Sequence, residues 1–432
     1  MIGSYLSPQK HFGVTILWFA VALLLLLGAG RVAAAFLINA GNVELNRVRT
    51  SAGSYSDSQK LVDLFRLAGS FSPDNWHSDD GLGRHYLQRG DGNAAVAQLE
   101  ASVRKQGGGE DPNSVSLLRL GEAYYMAGQT DRAVNVWRGA NLARYFERMG
   151  AVAASRGDIS AALKAFRLAT QIAPRDIENW YALGRFSLGA EDQAEARTAF
   201  ERMAGLSAND STSSNIAQGW LCWIDQQWEC ALTRFSTVVT DHSADAQDRE
   251  SAQLNVLKIL LFHRPDPQAA LPIALARAQR LPNDVWANLM VGFAYRGLKR
   301  WEDATEWFKR AEQKAPRDVY PVQVLVDTYL QRGMLDEALG SAQAAVARNT
   351  GQANLLLLLA KVYEDRQDYE HVSGTLARAV EIAPANNEYR LQYASALVRI
   401  GNRSEARHQL QSILESDPTN ETVGQLLRQL SN

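Results

Sequence analysis

The chain has 432 residues, 46% of them hydrophobic, with 45 Lys and Arg against 47 Asp and Glu. The near balance of charge leaves no basic footprint for nucleic acid. No HExxH, GxSxG, P-loop or paired CxxC motif is present, and the seven histidines are scattered, so no catalytic or metal-binding constellation stands out.

Taken in chain order, residues 1–11 are a short tail carrying Lys10. Residues 13–30 (GVTILWFAVALLLLLGAG) then run without a charge. That approaches the roughly 20 apolar residues that span a bilayer. Val32–Ile38 is apolar again, so a transmembrane signal-anchor helix is expected over 12–38, with Arg31 snorkelling to the headgroups. The competing reading is a cleaved signal peptide ending at Ala33-Ala34-Ala35, but the apolar run exceeds the usual h-region. Arg31, Arg47 and Arg49 on the far flank favour cytoplasmic repeats, whereas the short single-lysine tail favours export. Of the two, export is the expectation.

Residues 39–75 read as a linker and a degenerate first repeat, with Leu61, Phe65, Ala68 and Pro73 in its second half. From residue 76 a period takes over. Units start near 76, 114, 143, 177, 212, 251, 285, 319, 353 and 387, the last four without slips at a spacing of 34. Within 285–420, tyrosine recurs at Tyr295, Tyr329 and Tyr363, and alanine at Ala311, Ala345 and Ala379. Another alanine slot runs Ala304, Ala338, then Val372, then Ala406, and proline closes units at Pro316, Pro384 and Pro418. A fixed period of this kind means stacked supersecondary units, each too small to bury its own core. Gly184 and Ala196 are small enough to let two antiparallel helices approach, and Tyr295 and Phe308 fill the space between pairs. The Pro-Arg-Asp runs at 174–176 and 316–318 end one helix and cap the next. Residues 421–432 predict an amphipathic capping helix over the last unit.

These residues resemble the tetratricopeptide repeat: Trp180, Leu183 and Gly184 on a first helix, Ala196 and Phe200 on a second, and in the preceding unit Gly150, Ala162, Phe166, Ala169 and Pro174. The resemblance covers 76–420, about 10 units. It implies an all-α, helix-turn-helix solenoid wound as a right-handed superhelix, here preceded by one transmembrane helix. Such proteins bind peptides or protein segments in a concave groove lined by first helices. The resemblance therefore implies a non-enzymatic, membrane-anchored scaffold with a protein or peptide partner. It implies no cofactor, metal, nucleic acid or small-molecule substrate. The alternative is an accessory or assembly factor of an envelope polysaccharide or secretion machinery.

Two groove regions are candidates. Arg84, Arg119, Arg144, Arg148 and Arg185 come from four successive units and form a basic candidate. It is similar to the carboxylate clamp of tetratricopeptide domains that hold chaperone tails, but Asp80 and Arg84 stand in the slots of the clamp's first lysine and asparagine. The bland alternative pairs these arginines with Glu122, Glu147 and Glu178. The apolar candidate is Trp286, Leu289 and Phe293 at i, i+3 and i+7, extended by Tyr320, unless the solenoid itself covers that face. Cys222 and Cys230 flank one turn and are either a candidate disulfide or two small core residues.

Overall fold

The computed structural model describes residues 30–50, 55–107 and 114–431. Among these residues there are 23 α-helices and one π-helical turn, and no strand. The chain divides after Ile224 into two units. The first holds α1 (Gly30–Thr50), α2 (Tyr55–Phe71), α3 (Trp76–Gln88), α4 (Gly92–Gln106), α5 (Ser114–Met126), α6 (Thr130–Gly139), α7 (Ala143–Ser155), α8 (Ile159–Ile172), α9 (Ile177–Gly189), α10 (Gln193–Leu206) and α11 (Thr212–Ile224). The second holds α12 (Trp228–Thr240), α13 (Ala246–Lys258), the π turn Ile259–His263, α14 (Pro267–Arg280), α15 (Val285–Gly297), α16 (Trp301–Lys314), α17 (Val319–Gln331), α18 (Leu335–Arg348), α19 (Ala353–Asp365), α20 (Tyr369–Ile382), α21 (Asn387–Arg399), α22 (Arg403–Ser416) and α23 (Glu421–Ser431).

Local chemistry sets the ends of these helices. Asp176 and Asp318, the last residues of the two Pro-Arg-Asp runs, accept hydrogen bonds from the amides of Glu178 and Tyr320 at 3.0 Å. Each caps a first helix by satisfying an amide that the helix itself leaves open. The turn inside a pair needs a left-handed residue. Gly157 supplies it at φ 77°, whereas Lys299 is held at φ 58° in the corresponding turn.

Packing within three of the pairs follows one rule. The glycine on the first helix faces an aromatic ring on its partner. A Cβ at Gly292 would stand 2.3 Å from the Phe308 ring, one at Gly184 2.7 Å from Phe200, and one at Gly150 2.8 Å from Phe166. The alanines Ala196, Ala304, Ala311 and Ala338 are fully buried where the helices touch. The second unit has one large core through α15–α21, and α23 closes its far end by seating Val423 with Leu410 and Ile413.

The N-terminus departs from expectation. Among the described residues, no helix is long and apolar enough to cross a membrane. Residues 12–29 of the expected anchor lie outside the described residues. Residues 30–38 belong instead to α1, which runs on to Thr50 and packs against α2 through Ile38 and Leu45. The helix over 12–38 is thus not supported, because its described part pairs with α2. The described part of the first pair already includes residues 30–38, outside the 39–75 expected for linker and degenerate repeat, and the pair placed near 251 opens at Ala246.

Candidate functional site

The side chains that the first helices leave to solvent in the second unit form a groove. Its volume is about 870 Å³, and α17, α19 and α21 supply most of its lining. Tyr320, Gln323 and Asp327 come from α17; Asn354, Leu357, Lys361 and Glu364 from α19; and Leu391, Ser395 and Arg399 from α21. Tyr369 and Val372 of α20 form part of the wall.

The charges in the groove are arranged as a ladder. Lys361 Nζ donates to Asp327 Oδ1 at 2.8 Å, and Arg399 Nη2 lies 3.3 Å from Glu364. Arg399 also donates to the Tyr369 hydroxyl at 3.1 Å, and the Tyr389 hydroxyl donates to Asn354. Arg296 stacks over Phe293 at 5.0 Å, and burial lowers its pKa against the opposing pull of Tyr320 and Asp327. The acids and bases thus neutralise one another, and the unspent capacity lies in the apolar and amide side chains.

The apolar candidate is only partly open. Trp286 and Tyr320 are 50% and 39% exposed, with ring centroids 5.4 Å apart. Leu289 and Phe293 are 1% and 6% exposed and belong to the core, a correction to their expected place on a binding face. The reason lies upstream. The π turn sets Phe262 edge-on to Phe293 at 5.1 Å, and Leu261 packs against the same core. One repeat later the same slots hold Gln323 and Asp327, which remain on the groove. Sequence reasoning missed these two and Lys361. The signal was present, because stepping the Leu289 and Phe293 slots forward by 34 also reaches Leu357, Lys361, Leu391 and Ser395 of the groove wall.

The basic candidate does not form one cluster. Arg119 donates to both oxygens of Asp80 at 2.9 and 3.0 Å, and Arg84 Nε lies 3.1 Å from the same carboxylate, which is 5% exposed. Neither arginine is left to grip a ligand. The sequence alternative named Glu122, Glu147 and Glu178 as partners; the partner of these two is Asp80. Arg144 and Arg148 are exposed on α7, and Arg185 stacks on Tyr181 at 5.6 Å. Cys222 and Cys230 are both disulfide-bonded. Among the described residues, no group of three or more His, Cys, Asp or Glu side chains is placed to hold a metal.

Stacked helix pairs with an open groove define a helical-repeat scaffold, an architecture suited to protein–protein interaction. A tetratricopeptide repeat is matched at residues 81–137, which span α3 to α6, and this supports a tetratricopeptide-repeat protein. No curated protein matches the chain. Among solved structures, yeast Tom70 is similar at 14% identity and TM-score 0.41, over 92% of this chain and 88% of that one. A tetratricopeptide repeat protein from Parabacteroides merdae is similar at 14% identity and TM-score 0.41, over 60% of this chain and 99% of that one. A thermophilic repeat protein from Thermus thermophilus gives 22% identity and TM-score 0.32, over 44% and 100%. At these scores the likenesses carry no weight beyond the helix pairs already described.

Proposed function

We propose that the protein is a non-enzymatic scaffold whose second unit binds a segment of a partner protein along α15, α17, α19 and α21. In this reading residues 13–30 hold it at a membrane, with the repeats on the extracytoplasmic side. The observation that carries the groove reading is the exposed Trp286–Tyr320 pair at one end of the 870 Å³ groove. Trp and Tyr are enriched among the residues that carry binding energy at protein interfaces. The groove's paired charges favour a partner segment selected by apolar side chains, with Gln323 and Asn354 offering hydrogen bonds. The charge-free run at 13–30 supports the membrane part. The disulfide-bonded state of Cys222 and Cys230 supports an oxidising compartment.

The test is recovery of partners from solubilised membranes with Trp286→Ser and Tyr320→Ala combined. Recovery is expected to fall about tenfold with an unchanged far-ultraviolet circular dichroism spectrum. Unchanged recovery sinks the groove reading. A C-terminal reporter active only in the cytoplasm tests the side; activity there overturns export.

A further inference from the structure

Four first helices of the first unit set a glycine against a side chain of their partner helix: Gly83 on α3, Gly121 on α5, Gly150 on α7 and Gly184 on α9. On three of them the residue before that glycine is core. Leu82, Leu120 and Leu183 are 6%, 5% and 4% exposed, whereas Met149 on α7 is 49% exposed. Two residues past the glycine, His85 and Ala123 are fully buried, whereas Val152 is 46% exposed. Slots that build the core on other helices therefore face outward on α7.

The cause lies in the period. The unit that starts at Ser114 is 29 residues long, because α7 already opens at Ala143. Its second helix, α6, has 10 residues, against 15, 14 and 14 in α4, α8 and α10. It meets α7 near the start of that helix, where the Trp137 and Phe146 ring centroids are 4.7 Å apart. About one helical turn of cover is missing, and Met149 and Val152 are left open.

Arginines share this face. Arg144, Arg148, Val152 and Arg156 are spaced by four, and all are exposed. Residues four apart stand on one side of a helix. Among the described residues, none of the three guanidinium groups has an ion pair or a hydrogen bond. Glu147 is the one acid on α7, and it is half-buried with its Oε1 out of contact with solvent. Asp158 beyond the helix caps α8 by accepting the Ala161 amide at 2.9 Å. The face is thus apolar at its centre and positive around it.

These features select the occupant. On α5 the same slots, Leu120 and Ala123, share one core with Ala95 and Leu99 of α4, so the cover that fits them is a helix. Arginines hold carboxylates through paired hydrogen bonds, so that helix is acidic. A second copy of this face would set arginine against arginine. Two exposed aliphatic side chains are too few to enter a bilayer, where interfacial helices bring a full apolar face with Trp, Phe or Leu.

We propose that α7 docks an acidic amphipathic helix of a partner protein, which takes the place of the missing turn of α6. The apolar side of that helix rests on Met149 and Val152, and its carboxylates on Arg144, Arg148 and Arg156. The surface belongs to the first unit and does not depend on the groove reading.

The test uses the purified full-length chain and two fluorescent stapled helices of about four turns. Both carry one leucine face; the remaining positions are glutamate in one and lysine in the other. Fluorescence anisotropy is expected to show binding of the glutamate helix alone. Arg144→Glu with Arg148→Glu is expected to weaken it at least about tenfold and to admit the lysine helix. Met149→Ser with Val152→Ser is expected to weaken it about tenfold as well, with an unchanged circular dichroism spectrum. Arg175→Glu, at an exposed position between α8 and α9, is expected to change nothing. No binding of the glutamate helix, equal binding of both helices, loss with Arg175→Glu, or no loss with the Met149 and Val152 changes overturns the proposal. Flotation with phosphatidylglycerol vesicles that Arg144→Glu with Arg148→Glu abolishes assigns the face to a membrane and overturns it. Self-association abolished by the same variant assigns the face to a second copy and overturns it too.

Discussion

Lys361 donates to Asp327 at 2.8 Å, and the two residues are one repeat, 34 positions, apart. Trp286 and Tyr320 are related by the same step, with their rings in contact. The period that makes the fold therefore also builds the groove, because equal slots on successive first helices become neighbours. The Lys361–Asp327 pair is at least half solvated on the lysine side, at 55% exposure. Setting a second carboxylate against Asp327 with Lys361→Asp is expected to cost under about 1 kcal/mol in urea unfolding. Partner recovery is expected to fall, and Asp327→Lys added to Lys361→Asp is expected to restore it. A swap that fails to restore recovery removes the ladder from the recognition argument.

The glycine-to-aromatic contact makes a paired prediction. Gly292→Ala places a methyl group 2.3 Å from the Phe308 ring inside a filled core. Overpacking of this kind costs about 1–3 kcal/mol. Gly340 lies in the interior of α18, and a Cβ there would meet nothing within 4 Å. Gly340→Ala is expected to stabilise by up to about 1 kcal/mol through helix propensity alone. Urea midpoints that move the same way for both variants contradict this account.

The regular starts at 285, 319, 353 and 387 coincide with the first residues of α15, α17, α19 and α21. They were legible because packing slots recur there without slips. The first pair was not legible. Residues 31–38 form an almost wholly apolar run, which reads as part of a membrane span, yet they are the two faces of α1. Gly41 was the available signal: a Cβ there would stand 2.8 Å from the Phe65 ring, the same kind of contact that Gly150, Gly184 and Gly292 make in later pairs. The groove was half legible. Trp286 and Tyr320 were found from their periodicity, but the cover over Leu289 and Phe293 comes from a π turn. No repeat slot encodes that turn.

The Asp80 cluster is structural, and that is testable. Asp80 lies on α3 and holds Arg119 of α5, while Arg84 reaches Asn42 of α1 at 2.5 Å. One carboxylate thus ties three helices. Burial lowers the Arg84 pKa, with Asp80 pulling it back up and Arg119 adding to the fall. Asp80→Asn leaves two guanidinium groups facing each other. The expected loss is about 3 kcal/mol, the lower end for a broken buried pair, because both arginine side chains are 28% exposed. Replacing all three with Asp80→Leu, Arg84→Met and Arg119→Met is expected to recover most of that loss. If Asp80→Asn unfolds at the wild-type urea concentration, the tie between helices has no energetic content.

His85 gives the first unit a pH dependence. Its side chain is fully buried on α3, and neither ring nitrogen has a hydrogen-bond partner. Burial, aided by Arg89, lowers its pKa from the ordinary 6.5. The unfolded chain therefore takes up a proton near that value while the folded chain resists it. Stability from keeping His85 neutral is full above about pH 6.5 and is lost as pH falls through the lowered folded value. His77 and His263 are lowered as well, so the wild-type curve mixes several groups. The difference between wild type and His85→Leu isolates this one. At pH 8 the variant is expected to match or exceed wild type, because it removes two unsatisfied polar atoms from the core. On acidification wild type is expected to lose stability relative to the variant, by at most about 1.4 kcal/mol per pH unit for one proton. Urea unfolding of both proteins between about pH 5 and 8 reads that difference. Parallel curves across this range mean that His85 is accessible to protons in the folded state.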